Sequence, residues 1–175
     1  MTFVEHEAVL ELRRYTLHPG RRDELIELFE REFVDAQETV GAHLFGLFRV
    51  PASPDEFLWL RGFRSMSARK QALEDFYFGP VWKEHREAAN ATMIDSDNVL
   101  LLRPVLRGLT SPPPGSELYL SLSAPSPAAF AVFETEPSPN NFPQLPVRTD
   151  GPFSVSFSRE PSGELLEPTA RSQLR

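Results

Sequence analysis

Cysteine is missing from all 175 residues. Its absence removes disulfides, thiolate nucleophiles, iron–sulfur clusters and sulfur-built zinc sites together, and makes reducing cytoplasm the expected location. Long apolar runs are missing too: none approaches the roughly 18 residues of a membrane span. Met1 to Glu7 contains no basic region followed by an apolar stretch, so neither a membrane nor an export route is expected. Basic charge is scarce, with 18 Lys and Arg against 25 Asp and Glu and a net charge of −7. That field repels phosphate backbones and argues against nucleic acid as a partner. No Gly-rich phosphate loop, Gly-x-Ser-x-Gly elbow or dinucleotide fingerprint occurs. The helical zinc motif fails because Ala89 stands four residues after His85, and a calcium loop from Asp95 fails because Val99 and Leu100 occupy a ligand position and the glycine position. No resident metal or cofactor is therefore expected.

What is present belongs to a globular protein: 41% hydrophobic, 25% charged and 11% aromatic residues. Val9 to Leu17 has strand character and runs into the turn signal Pro19-Gly20. From Arg21 to Glu38, Leu25, Leu28, Phe29, Phe33 and Ala36 recur at three and four with acids between them, which predicts an amphipathic helix closed by Gly41. His43 to Val50 and Glu56 to Arg64 read as a hairpin around Pro51 to Asp55. Ser65 and Ser67 offer caps for a second helical region, interrupted at Gly79-Pro80 and resuming from Val81 to about Met93. Asp95 to Asn98 reads as a polar turn before the short strand Val99 to Leu102.

The order strand, helix, strand, strand, helix, strand predicts an α+β fold. It is a ferredoxin-like βαββαβ unit over residues 1–108 whose antiparallel sheet carries both helices on one face. The bare face would be covered by a second copy of the sheet, making a homodimer, or by the rest of the chain. Of 17 prolines, 12 lie from Pro112 to Pro168, and Pro112-Pro113-Pro114 suggests a stiff linker over 109–116. Leu118 to Ser123, Ala129 to Glu134 and Phe153 to Ser158 read as further strands, added to the first sheet or forming a degenerate second repeat over 117–175. The segment between Pro137 and Pro152 reads as a loop held down by Phe142, Leu145 and Val147, and the last dozen residues show no period.

Several of these segments resemble the NIPSNAP-domain proteins. Leu10 to Gly20 with the acidic helix after it, Trp59-Leu60-Arg61-Gly62-Phe63, Ser67-Ala68-Arg69, Phe76-Tyr77 and Gly79-Pro80-Val81-Trp82 carry the likeness over about residues 8 to 106. Thr135-Glu136, Asn140 to Val147 and Pro168 to Arg175 are similar to what bacterial members carry beyond the domain. The resemblance implies a dimeric α/β barrel of two facing sheets. That architecture is shared by haem-degrading and cofactor-free monooxygenases, isomerases, chlorite dismutases and proteins without known activity, so it does not select a reaction.

Candidate chemistry follows from alternation along the strands. Trp59 and Arg61 share one face of their strand, and Arg13 and Tyr15 one face of theirs. The plainer apolar set, Leu58 and Leu60, is assigned to the helix side. Arg13, Tyr15, Trp59 and Arg61 are then expected toward the barrel interior, where guanidinium groups beside aromatic rings would hold a planar or anionic small molecule. The plainer alternative is an Arg61–Glu11 ion pair at a subunit interface. On the second helix Trp82, His85 and Arg86 lie on or beside one face. His85 is the candidate base or haem ligand, Arg86 the group to stabilise an enolate or carboxylate, and Tyr77 and Asn90 lesser candidates. Three readings stay open: a small-molecule binder with cofactor-independent monooxygenase or isomerase activity, a non-catalytic assembly protein, and a haem-binding enzyme.

Overall fold

The computed structural model describes residues 6–105, 117–122, 125 and 127–175. The expected linker over 109–116 lies outside them, as does Ser123. The described elements are β1 (Val9–Leu17), α1 (Arg22–Leu28), a π-helical segment (Phe29–Phe33), α2 (Val34–Thr39), β2 (His43–Val50), β3 (Ser53–Phe63), α3 (Met66–Tyr77), α4 (Pro80–Asn90) and β4 (Met93–Pro104). Then follow β5 (Leu118–Ser121), β6 (Ala129–Thr135), β7 (Ser154–Ser158) and β8 (Glu164–Pro168). The fold is α+β, and no helix among the described residues is long and apolar enough to cross a membrane.

Local chemistry sets the boundaries. Gly41 takes a φ of 98°, ending the first helical stretch in the conformation glycine adopts without strain. The Ser65 hydroxyl accepts from the Ala68 N–H at 3.0 Å and opens α3, while Pro80 occupies the first turn of α4, where its missing N–H costs nothing. Several segments differ from expectation: the hairpin turn is Pro51-Ala52 alone, with β3 already paired from Ser53, and α4 ends at Asn90, Met93 opening β4. Asp95 to Asn98 is not a turn but part of β4, since the backbone of β1 offers it ladder partners, with register shifts near Thr16. The helix from Arg21 is broken by the π-helical segment, a single wide turn that rotates Phe29 and Phe33 relative to the helix before it.

The first four strands run β4-β1-β3-β2, all antiparallel, in the ferredoxin-like order. The sheet does not end at its edges. β8 pairs with β2, β6 pairs with β4, and β5 and β7 complete the order β1-β3-β2-β8-β5-β7-β6-β4, a closed barrel within one chain. β8 falls in the stretch where the sequence shows no period; at five residues, with two backbone pairs to β2, it is too short to leave an alternation signal.

Closure reverses the expected faces. Leu10, Leu12, Leu58 and Leu60 point into the barrel with Phe133, Val155, Phe157 and Leu166 from the later strands. Tyr15, Phe57, Trp59 and Phe63 lie under the helices with Leu25, Phe29, Phe33 and Phe76. The aliphatic set, expected under the helices as the plainer core, lies on the opposite face; both faces of this sheet are buried, so hydrophobicity alone does not rank them. The apolar face, with Phe45 and Phe48 beside the leucines, fills the barrel interior. The mixed face goes where helices and a loop supply hydrogen-bond partners. Close packing inside also fixes Gly62, where an added Cβ would sit 2.5 Å from the Phe45 ring.

Truncating Phe157, fully buried in the barrel, is expected to cost about 3–5 kcal/mol as Phe157→Ala. Leu122→Ala, at a residue 44% exposed near the barrel rim, should stay within about 0.5 kcal/mol. Urea unfolding of both variants checks the claim, and equal costs would contradict an interior packed by the later strands.

Candidate functional site

Under the helices the sheet carries charge. β1 and β3 pair in a register that sets Glu11 opposite Arg61, Arg13 opposite Trp59 and Tyr15 opposite Phe57, so one face brings three ionised groups and three rings together. Glu11, Arg13, Arg61 and, from α3, Arg69 are all buried. One Glu11 carboxylate oxygen accepts from Arg13 at 2.5 Å and from Arg61 at 2.9 and 3.1 Å, and the other accepts from Arg69 at 2.7 Å. Burial alone would raise the Glu11 carboxyl, but Arg61, Arg13 and Arg69 outweigh it and hold it well below the usual carboxylate range. Three guanidinium groups around one carboxylate leave two surplus positive charges. Amides, phenols and ring faces share them: Arg61 donates to Gln37 Oε1 at 2.6 Å and to the Tyr77 hydroxyl at 3.2 Å, and Arg69 to Asn140 and Asn141 at 3.0 and 2.9 Å. The Arg61 and Arg13 guanidinium carbons stand 4.9 and 5.3 Å from the Trp59 ring centroid.

Beside this cluster a cavity of about 220 Å³ opens between sheet and helices. Arg13, Tyr15 and Trp59 form its sheet wall; Phe29, Phe33 and Gln37 come from the first helical stretch. Phe76, Tyr77 and Trp82 close it from α3 and α4, and Asn90, Met93 and Ser96 lie where it reaches the surface, Asn90 being exposed. Leu145, from the loop that Asn140 and Asn141 tie to α3, completes the wall.

The polar groups of this cavity are mostly donors. The Tyr15 oxygen accepts from Arg13 Nε at 3.2 Å and the Tyr77 oxygen from Arg61, so both phenols keep their own O–H hydrogens unused among the described residues. Burial pushes the Tyr15 phenol up, with Arg13 pulling it only partly back, so it holds its proton at neutral pH. Burial works against the Arg13 charge, yet Tyr15 and Glu11 raise its pKa above the ordinary arginine value. The Trp59 indole N–H is buried without a hydrogen-bond partner among the described residues. A donor left so costs about 1–3 kcal/mol, and such a group in a native fold calls for an explanation. No Asp, Glu, His or Lys lines the cavity, and no group of three His, Asp or Glu among the described residues could hold a metal.

The sequence-derived candidates divide accordingly. Arg13, Tyr15, Trp59, Tyr77 and Trp82 converge on the cavity, and Asn90 reaches its mouth. Arg61 stands behind the wall, between Glu11, Gln37 and Tyr77. His85 lies outside, with Nε2 3.3 Å from Glu32, and Arg86 is exposed. Their shared helix face points past the cavity, because Trp82 and Ala89 take the inward positions. The Arg61–Glu11 pair exists, but inside one chain. Sequence reasoning missed Gln37, Arg69, Phe29 and Phe33 as site residues. Gln37 and Arg69 look like ordinary surface positions on amphipathic helices, and only burial of both betrays them.

Comparison with known proteins places these residues in context. The family model described as NIPSNAP matches residues 10–106, more than half of the chain. Among solved structures, the chain resembles a NIPSNAP family protein with unknown function from Agrobacterium tumefaciens, at 19% identity and a TM-score of 0.52, covering 59% of this chain and 94% of that one. A second Agrobacterium tumefaciens NIPSNAP family protein is similar at 20% identity and a TM-score of 0.53, covering 57% and 88%. An uncharacterized NIPSNAP-like domain protein from Burkholderia xenovorans is similar at 25% identity and a TM-score of 0.51, covering 62% and 91%. No curated protein matches the chain.

Removing the central carboxylate should expose the strength of the cluster. Glu11→Gln leaves three buried guanidinium groups without their anion and is expected to cost about 3–5 kcal/mol at neutral pH. Because the folded value of Glu11 lies below its ordinary 4.5, its stabilisation is fully present above pH 4.5 and fades as pH falls toward the lower folded value. Urea unfolding of the wild type from pH 7 to 3 should show a decline below pH 4.5 that is smaller in Glu11→Gln; matching profiles would remove Glu11 from its central place.

Proposed function

This chain belongs to the NIPSNAP family, and from that premise we propose that it binds a small organic anion in the cavity between its sheet and its helices. The observation that carries the reading is the cavity wall: an arginine, two phenols and a tryptophan whose buried indole N–H has no partner among the described residues, beside a cluster in which Glu11 is the one carboxylate against three guanidinium groups. Such a wall stabilises negative charge on a guest and repays the donors for their burial. The planar or anionic ligand expected from the sequence keeps Arg13, Tyr15, Trp59 and Trp82, loses direct contact with Arg61, and moves from the barrel interior to the helix side.

This reading favours binding over acid–base turnover. His85, the expected base, sits with Glu32 outside the cavity, and the lining side chains include no other proton acceptor of suitable pKa. A monooxygenase or isomerase activity would then depend on a guest that arrives already ionised. Haem ligation by His85 draws no support from its placement. A purely assembling role is supported less than binding, since the face able to associate is filled by β5 to β8 while the polar cavity stays open to the surface. The same filling covers, within one chain, the face that either a second copy or the later strands were expected to cover, and we read the closed chain as able to stand alone.

Two measurements test these statements. Protein incubated with a bacterial metabolite extract, washed, denatured and analysed by negative-ion mass spectrometry should release an organic anion that the Tyr15→Phe/Tyr77→Phe variant retains at least about tenfold less well. Identical profiles from both proteins would defeat the binding reading. Light scattering at micromolar concentration should return one chain of 19.8 kDa; a stable dimer would mean that a surface other than the barrel interior associates.

A further inference from the structure

We infer that the guest of this cavity is a monocyclic aromatic monocarboxylate, held with its carboxylate at the Arg13–Trp59 end and its ring among Phe29, Phe33 and Trp82. The inference rests on the anion-binding reading above and narrows it by size, charge and shape.

Size comes first. A cavity of about 150 Å³ accepts one benzene ring, so 220 Å³ matches one ring with a carboxylate-sized substituent. Charge limits the guest further: Arg13 is the only ionised side chain in the wall. A second negative group would have to lie near Asn90 and Ser96, where no cation lines the cavity, so phosphate dianions and dicarboxylates fit poorly. A single carboxylate presents two acceptor oxygens, which match the guanidinium of Arg13, the Tyr15 and Tyr77 hydroxyls and the Trp59 N–H as donors. The two guanidinium groups within 5.3 Å of the Trp59 ring centre draw electron density from the indole and strengthen its N–H as a donor.

Shape selects a ring over a chain. Half of the lining side chains are aromatic, and they already meet edge to face: Phe29 with Trp59 at 4.7 Å, Phe33 with Phe76 at 5.7 Å and Tyr77 with Trp82 at 5.2 Å. A wall of rings locked by each other presents faces and edges that a guest ring can continue in the same geometry, whereas a flexible chain must give up rotamers to fill the same space. The π-helical turn serves this wall, since it carries both Phe29 and Phe33. Its register is tied down from the end of the chain, where the Arg171 guanidinium donates to the Glu30 carbonyl at 3.0 Å.

The chain has two tryptophans, and both line this cavity, so intrinsic fluorescence reports on it directly. Titration with benzoate is expected to give a saturable change, with benzamide and acetate binding at least about tenfold more weakly and cyclohexanecarboxylate several-fold more weakly. Trp59→Phe and, as a milder change, Tyr15→Phe should each weaken benzoate several-fold and benzamide by a smaller factor, since the neutral amide forms weaker hydrogen bonds with the same donors, with near-ultraviolet circular dichroism to verify the fold. If acetate or cyclohexanecarboxylate binds as well as benzoate, the aromatic class is wrong and the anion site stands. If benzamide matches benzoate, or none of the carboxylates binds, the inference and the anion-binding reading fall together.

Discussion

One carboxylate under three guanidinium groups organises this molecule. Glu11, near the start of β1, reaches Arg61 on β3 and Arg69 on α3, and so ties two central strands to a helix that is distant in sequence. Arg69 passes the connection to Asn140 and Asn141, whose loop supplies Leu145 to the cavity wall. Removing one partner from charges buried to this depth leaves another uncompensated, which makes the cluster intolerant of local change. The excess of cation over anion is what distinguishes it from a neutral structural network. A fold seeking stability alone would balance the charges or replace them with apolar packing; here the surplus is spread over phenols, amides and ring faces that border an open cavity.

The second constraint is closure. A ferredoxin-like sheet with helices on one side leaves its other side apolar, and the interior cluster shows how this chain meets that demand with β5 to β8. The three similar NIPSNAP structures are covered at about nine-tenths of their length by about three-fifths of this chain. Filling the interior with Phe133, Phe157 and Leu166 leaves little room there. The available space lies on the helix side, among side chains that include Phe29 and Phe33 of the π-helical turn.

Much of this was legible along the chain. The alternation of Glu11, Arg13 and Tyr15 and of Trp59 and Arg61 grouped the same side chains that the register sets side by side, since a period of two is a local property of an extended backbone. The strands β1 and β2, the cap at Ser65 and the stop at Gly41 were equally local and equally readable. His85 was a reasonable candidate by its chemistry, but helical periodicity gives only the angle between side chains, and where the stripe is aimed depends on how α4 is docked.

What the sequence determined by itself was the order of elements and which residues share a face, because both follow from short-range sterics and from the spacing of apolar positions. Only the tertiary structure decided which face met the helices and which met β5 to β8. Both sides of the sheet are buried, and the choice turns on partners such as Gln37, Arg69 and Asn140 that lie far away in the chain and whose burial has no local signature.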